Sequence, residues 1–128
     1  MDLQRGNIVI ANLESVSSGS IQKFRRPYLI ISNNKANKFS PVVTGIAMSS
    51  KTWKKKYLPT HCEVPADKVR ILDEEFNLID SMALCEQIVS IDTENQIEKV
   101  VGMITDKKLL YKITECVKIQ IGAYENFN

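Results

Sequence analysis

The chain contains one histidine, His61, so it has no cluster of imidazoles with which to hold a transition metal. Its three cysteines, Cys62, Cys85 and Cys116, are odd in number and show no C-x-x-C spacing. That argues against a disulfide framework or a zinc site and suits buried thiols in a reducing compartment. Neither usual kind of glycine-rich phosphate loop is present, nor is a G-x-S-x-G nucleophile elbow. No apolar run approaches the ~20 residues that a membrane-spanning helix needs. The N-terminal MDLQRGNIVI lacks a basic region followed by a signal-type apolar core, so the expectation is a cytoplasmic protein with no membrane association. What is left is chemistry without a metal or cofactor, or no chemistry.

The 128 residues suit one domain with one core, and 44% hydrophobic with 25% charged residues fits a soluble globular chain. The net charge of +2 hides an asymmetry. Residues 1–60 carry ten Lys/Arg against two acids, a charge of +8; residues 61–128 carry seven against thirteen, a charge of −6. A basic half points to an anionic partner for one surface, unless the two halves interleave in space and the field averages out.

There is no internal repeat, low-complexity segment or linker. Short strand-like runs dominate the first two thirds: Asn7–Leu13, with Ile8, Ile10 and Leu13 facing inward; Pro27–Ser32; Val42–Ser49; His61–Val64; Ser81–Ser90; and Lys99–Ile104. Pro27 lacks an N–H, which places it first in its strand or on an edge. Residues 33–41 predict a helical turn. Residues 65–80 are ambiguous, since Val69, Leu72 and Phe76 have helical spacing while Pro65 and the acids permit a loop. The last segment changes period. Thr105 and Asp106 are helix-start residues, Leu109, Leu110, Ile113, Cys116 and Val117 form one stripe, and Gly122 is a stop. The pattern predicts an α+β, mainly β domain: a small curled barrel with a C-terminal amphipathic helix.

Two basic segments interleave cations with aromatics: QKFRRPY (22–28) and KTWKKKY (51–57). Positive charge for phosphates and flat rings for unstacked bases suit single-stranded nucleic acid, although a solvated loop has the same composition. His61 is either a general acid–base or a strand-start residue with a local hydrogen bond. Glu86-Gln87 sits within an apolar strand. Its carboxylate is placed to receive a base edge or an arginine, or simply faces outward.

The ordered strings RGNIVIANL, RRPYLIISNN, NKFSP, AMSSK, LPTHCEV and CEQIVSID, followed by the amphipathic helix, closely resemble the MazF/PemK family of toxin endoribonucleases from Arg5 to about Gly122. The resemblance implies an SH3-like curled β-barrel, usually homodimeric. It implies ribosome-independent, sequence-selective cleavage of single-stranded RNA without a metal ion, leaving a 2′,3′-cyclic phosphate and a 5′-hydroxyl. It also implies a cognate antitoxin whose acidic, flexible tail occupies the RNA groove, and DNA binding together with that antitoxin. The family's catalytic arginine, directly before the proline of the second strand, falls on Arg26. Its hydroxyl residue, usually threonine, falls on Ser49. The implied RNA-binding positions are Gln22, Lys23, Phe24, Arg25, Ser50, Lys51, His61, Glu86 and Gln87.

Chemistry supports such a pair independently. RNA carries its own nucleophile, the ribose 2′-oxygen, so the protein need only orient the phosphate and stabilise the extra negative charge. A planar guanidinium does this bidentately, and a serine hydroxyl adds a donor. Arginine is a poor base, so Arg26 is assigned to charge stabilisation; the base is left open between His61 and Glu86. The chain departs from the family where the first loop reads GSIQKFR (19–25), where Val89 replaces a frequent arginine, and in a longer 65–80 stretch. Two other readings remain at this point: a non-catalytic toxin of the same fold that poisons DNA gyrase by contact, and a degenerate RNA- or antitoxin-binding module.

Overall fold

The computed structural model describes residues 2–13, 25–50 and 58–126. Seven strands build one antiparallel sheet: β1 (Asn7–Asn12), β2 (Arg25–Ile30), β3 (Val42–Ser49), β4 (His61–Val64), β5 (Val69–Ile71), β6 (Ser81–Asp92) and β7 (Ile97–Ile104). Their order is β4-β6-β3-β2-β1-β7-β5. A short helix, α1 (Asn34–Phe39), joins β2 to β3, and the long helix α2 (Lys107–Gln120) follows β7.

The central strands are buried on both faces, which explains their weak alternation. In β1, Ile8 and Ile10 belong to a cluster with Leu29, Ile46, Val101 and Ile104 that α2 covers with Leu109 and Ile113. Val9, Ala11 and Leu13 face the other way, into a second cluster with Tyr28, Ile30, Val43, Leu84 and Ile91. Leu13 therefore does not share a face with Ile8 and Ile10, as a period of two requires. The second cluster is built from strand residues together with Leu3 and Leu13. Leu109 and Ile113 are each worth ~1.5–3 kcal/mol by burial, which is what fixes α2 on the sheet.

Both ends of α2 are capped by the residues expected. The Asp106 carboxylate accepts from the Leu109 N–H at 3.0 Å. At the other end Gly122 has φ 76°, and the Ala123 and Gly122 N–H groups bond back to the Lys118 and Ile119 carbonyls. Gly6 answers a different need. Its φ is 101°, and a Cβ there would lie 2.8 Å from the Ile104 carbonyl oxygen, so the strand entry closes only on glycine. Arg5 beside it clasps three segments: its N–H bonds Asn34, and its guanidinium donates to the Ile31 carbonyl and the Thr114 hydroxyl. The Arg-Gly string is thus a structural joint.

Several boundaries move. β2 begins at Arg25, two residues before Pro27, and its pairing with β3 stops at Tyr28. Pro27 is therefore bonded to β1 alone, an edge position within a central strand. β7 starts at Ile97, because a turn at 93–96 closes directly onto β6. The 65–80 stretch is no helix. It forms a 3-10 turn at 66–68 and edge strand β5, held by Lys68–Asp106 and Lys99–Asp73 ion pairs.

The sheet order also interleaves the basic and acidic halves, since β6 and β7 flank β3, β2 and β1. Among the described residues, Arg25–Glu98 is the only Lys/Arg–carboxylate bridge that joins the two halves.

Candidate active site

Arg26 and Ser49, 23 positions apart in sequence, lie on the neighbouring strands β2 and β3. Tyr28 pairs with Ala47, Leu29 with Ile46 and Ile30 with Gly45. Arg26 lies two residues before Tyr28 on β2 and Ser49 two residues after Ala47 on β3, past the last paired residues, and the Arg26 side chain reaches across to the residue next to Ser49. The half-buried Arg26 guanidinium is anchored: Nη2 donates to the Met48 carbonyl at 2.8 Å. That bond uses one of five N–H groups and fixes the plane of the others. Tyr28 lies on the same face, two residues along. Burial pushes its hydroxyl pKa up, and the nearby Arg26 charge opposes that shift. Ser50 follows Ser49 and is exposed.

Arg25 points elsewhere. Successive strand residues face opposite sides of a sheet, so Arg25 lies on the face away from Arg26. Its Nε donates to both Glu98 oxygens, at 2.8 and 3.0 Å. The pair is largely solvent-exposed, which limits it to ~0.2–1 kcal/mol. The structure thus does not unite the two adjacent arginines in one phosphate site. Gln22, Lys23, Phe24 and Lys51 lie outside the described residues.

His61 and Glu86 form a second group. β6 has three extra residues, 85–87, between its pairings with Ala47 and Ile46, and this bulge carries Glu86 and Gln87. The His61 imidazole, 2% exposed, meets the Glu86 carboxylate at 2.6 Å. The other carboxylate oxygen accepts from the Thr60 hydroxyl at 3.0 Å. Burial raises the Glu86 pKa, but the hydrogen bonds from His61 and Thr60 outweigh it and hold the carboxyl below its ordinary value. An ionised carboxylate only accepts, so the His61 nitrogen facing it, Nε2, carries the proton. Gln87 is exposed on the bulge.

The two groups stand on different strands of the same sheet. His61 pairs with Leu84 on β6, and Leu84 with Ala47 on β3, which pairs with Tyr28. Three strand spacings, ~14 Å along the sheet, thus separate the β4 and β2 backbones. The side chains of His61 and Glu86 meet each other, and Thr60 bonds the free oxygen of Glu86. Sequence reasoning missed the Met48 carbonyl, Thr60 and Glu98. A backbone carbonyl leaves no trace in residue identity, and Thr60 had only its place beside His61 as a signal.

A family model described as "PemK-like, MazF-like toxin of type II toxin-antitoxin system" matches residues 4–121. The chain belongs to this PemK-like, MazF-like toxin family. Two curated relatives agree with that placement. The chain is 34% identical to "Endoribonuclease MazF" of Staphylococcus saprophyticus, over 95% of this chain and 93% of the relative. It is 33% identical to "Endoribonuclease EndoA" of Bacillus subtilis, over 98% and 99%. Solved structures of MazF-type proteins share the fold. MazF from Deinococcus radiodurans superposes with a TM-score of 0.69 at 18% identity, covering 95% of this chain and 98% of that one. A mycobacterial endoribonuclease in complex with its cognate antitoxin gives 0.67 at 17% identity, covering 98% and 99%. The curled sheet with a C-terminal helix is therefore the MazF-type fold. Among the described residues, no helix is long and apolar enough to cross a membrane.

Proposed function

We propose that this chain is the toxin of a type II toxin–antitoxin pair and cleaves single-stranded RNA, with Arg26 and Ser49 as its catalytic residues. The observation that carries the reading is the bond that pins the Arg26 guanidinium to the carbonyl of Met48, the residue next to Ser49. The names of the relatives, both endoribonucleases at about a third identity over nearly the whole chain, support it.

The reaction follows from what this pair supplies. The ribose 2′-oxygen loses its proton and attacks the adjacent phosphorus; the bond to the 5′-oxygen breaks, and that oxygen gains a proton. The products are a 2′,3′-cyclic phosphate and a 5′-hydroxyl. Negative charge grows on the nonbridging oxygens during the attack, and the fixed N–H groups of Arg26 are matched to it. Ser49 adds one hydroxyl donor. Rigid mounting matters, because a donor that must reorganise during the reaction loses much of its effect. The exposed Gln87 and Ser50 are proposed contacts for the RNA. The His61–Glu86 pair is proposed to flank the RNA path rather than to act at the scissile phosphate.

The proposed partners are single-stranded RNA, a second copy of the chain, and an antitoxin whose acidic flexible segment competes for the RNA groove. The solved complex of a mycobacterial endoribonuclease with its cognate antitoxin supports an antitoxin as partner.

The test is cleavage of a long mixed-sequence RNA by purified protein in EDTA, with mapping of the 5′ ends. Cuts at one short motif, lost in Arg26→Ala with the fold intact, are the expected result. Cleavage by Arg26→Ala at the wild-type rate overturns the site, and no cleavage by the wild type overturns the activity.

A further inference from the structure

The three cysteines come from unrelated strings, with no metal or redox spacing, yet they meet at one place. Cys62 lies on β4, Cys85 on β6 and Cys116 on α2, where the helix crosses both strands. All three are free thiols. Cys62 and Cys116 line one and the same cavity. Cys116 Sγ also lies 3.9 Å from the His61 carbonyl oxygen, and Cys85 Sγ lies 3.9 Å from that of Ile113. Among the described residues, no group of three or more His, Cys, Asp or Glu side chains is arranged to hold a metal ion.

The cluster is not sealed. A cavity of about 360 Å³ between β4 and α2 is lined by Cys62, Cys116, Lys112, Glu115 and Tyr111. Cys116 is half-buried, Cys62 is 6% exposed, and Cys85 is fully buried. A small oxidant entering the cavity therefore reaches Cys116 and Cys62 and not Cys85. This ordering singles out one pair.

We propose that Cys62 and Cys116 form an oxidation site, closed by hydrogen peroxide into a disulfide that staples α2 to edge strand β4. Cys116 sulfur attacks one peroxide oxygen, the O–O bond breaks, and water leaves, giving a sulfenic acid. Cys62 sulfur then attacks Cys116 sulfur; the S–S bond forms, the S–O bond breaks, and a second water leaves. The two thiols lose two electrons and two protons, and the peroxide becomes two waters. Cys85, buried and absent from the cavity lining, stays reduced.

The charged and titratable groups around the pair set its speed. Lys112 and Glu115 face it from α2, His61 and Glu63 from β4, and Glu86 from β6. Burial pushes the Cys62 thiol up to about 11 and raises Cys116 as well, and Lys112 opposes both shifts. Thiolate is scarce at neutral pH, so the site responds slowly and speeds up about tenfold per pH unit above neutrality.

The test treats the reduced full chain with hydrogen peroxide and follows intact mass, non-reducing peptide maps and thermal melting. The expected result is loss of two hydrogens, a Cys62–Cys116 linked peptide, and a Tm about 5–15 °C higher that dithiothreitol reverses. Cys116→Ser and Cys62→Ser each abolish the link and the Tm shift, and Cys85→Ser keeps both. Three outcomes overturn the proposal: a Cys85–Cys116 link, crosslinks only between molecules, or stable oxygen addition to Cys116 without a bridge. A rate of closure independent of pH overturns the thiolate route.

Discussion

Replacing Arg26 by lysine keeps the positive charge at the end of β2 and removes the planar fork. In the wild type, Nη2 spends one N–H on the Met48 carbonyl at 2.8 Å, and that bond holds the rest of the guanidinium in one plane. Lysine has a single nitrogen at the tip of a flexible stem. If it bonds the Met48 carbonyl, its remaining N–H groups stay close to that oxygen and no planar pair is left for the phosphate. Losing one preorganised donor to a developing oxyanion costs about 10²–10³ in kcat, or ~2.7–4 kcal/mol. The retained charge still attracts the phosphate, by ~4 kcal/mol at 4 Å for an effective dielectric of 20, so Arg26→Lys binds RNA better than Arg26→Ala. Single-turnover cleavage of a fluorescent single-stranded RNA with enzyme in excess measures the chemical step, and urea unfolding runs beside it. The expected result is a cleavage rate lower by about 10²–10³ with folding stability within ~1 kcal/mol of wild type. Cleavage by Arg26→Lys at the wild-type rate refutes the reasoning, because charge alone would then suffice. A matching loss of stability refutes it differently, by making the anchor a folding element.

Ser49→Ala removes one donor to a charged group, worth ~1.5–3 kcal/mol, and slows the same single-turnover assay about 10- to 100-fold. Its effect is therefore smaller than that of Arg26→Ala. Gly6→Ala forces a Cβ to within 2.8 Å of the Ile104 carbonyl oxygen at φ 101°, and loses ~1–3 kcal/mol in urea unfolding. Glu86 has a folded pKa below its ordinary value of 4.5, so its contribution to stability is full above that value. It is lost as pH falls through the lower folded value, and Glu86→Gln removes this acid dependence from unfolding curves recorded between pH ~3 and ~5. A wild-type curve that overlays the Glu86→Gln curve through that window rules out the carboxylate's role.

The family was legible because its marks are local strings. Arg26 stands against Pro27, Ser49 ends an apolar strand, and Arg5-Gly6 opens the first one. Strand and helix types were legible for the same reason: the stripe from Leu109 to Val117 and the caps at Asp106 and Gly122 need only a few neighbouring residues. Boundaries failed where a distant partner decides them. Pro27 continues a strand because β1 accepts it on one side, and β7 reaches back to Ile97 because the 93–96 turn closes onto β6. The 65–80 stretch had helical spacing, yet Val69 packs under α2 and the sheet edge takes its backbone instead.

The sequence by itself determined the residue types at the proposed site, the reach of the amphipathic helix, and the glycine that stops it. Those follow from side-chain chemistry and from backbone preferences that act within a turn or two. Only the tertiary structure decided what those residues face. Strand pleating sends Arg25 to Glu98 and Arg26 to the Met48 carbonyl, although the two arginines are neighbours in the chain. A bulge in β6 turns Glu86 onto His61, and the crossing of α2 over β4 and β6 gathers three unrelated cysteines. Register, pleat and helix crossing are set by core packing between segments far apart in sequence.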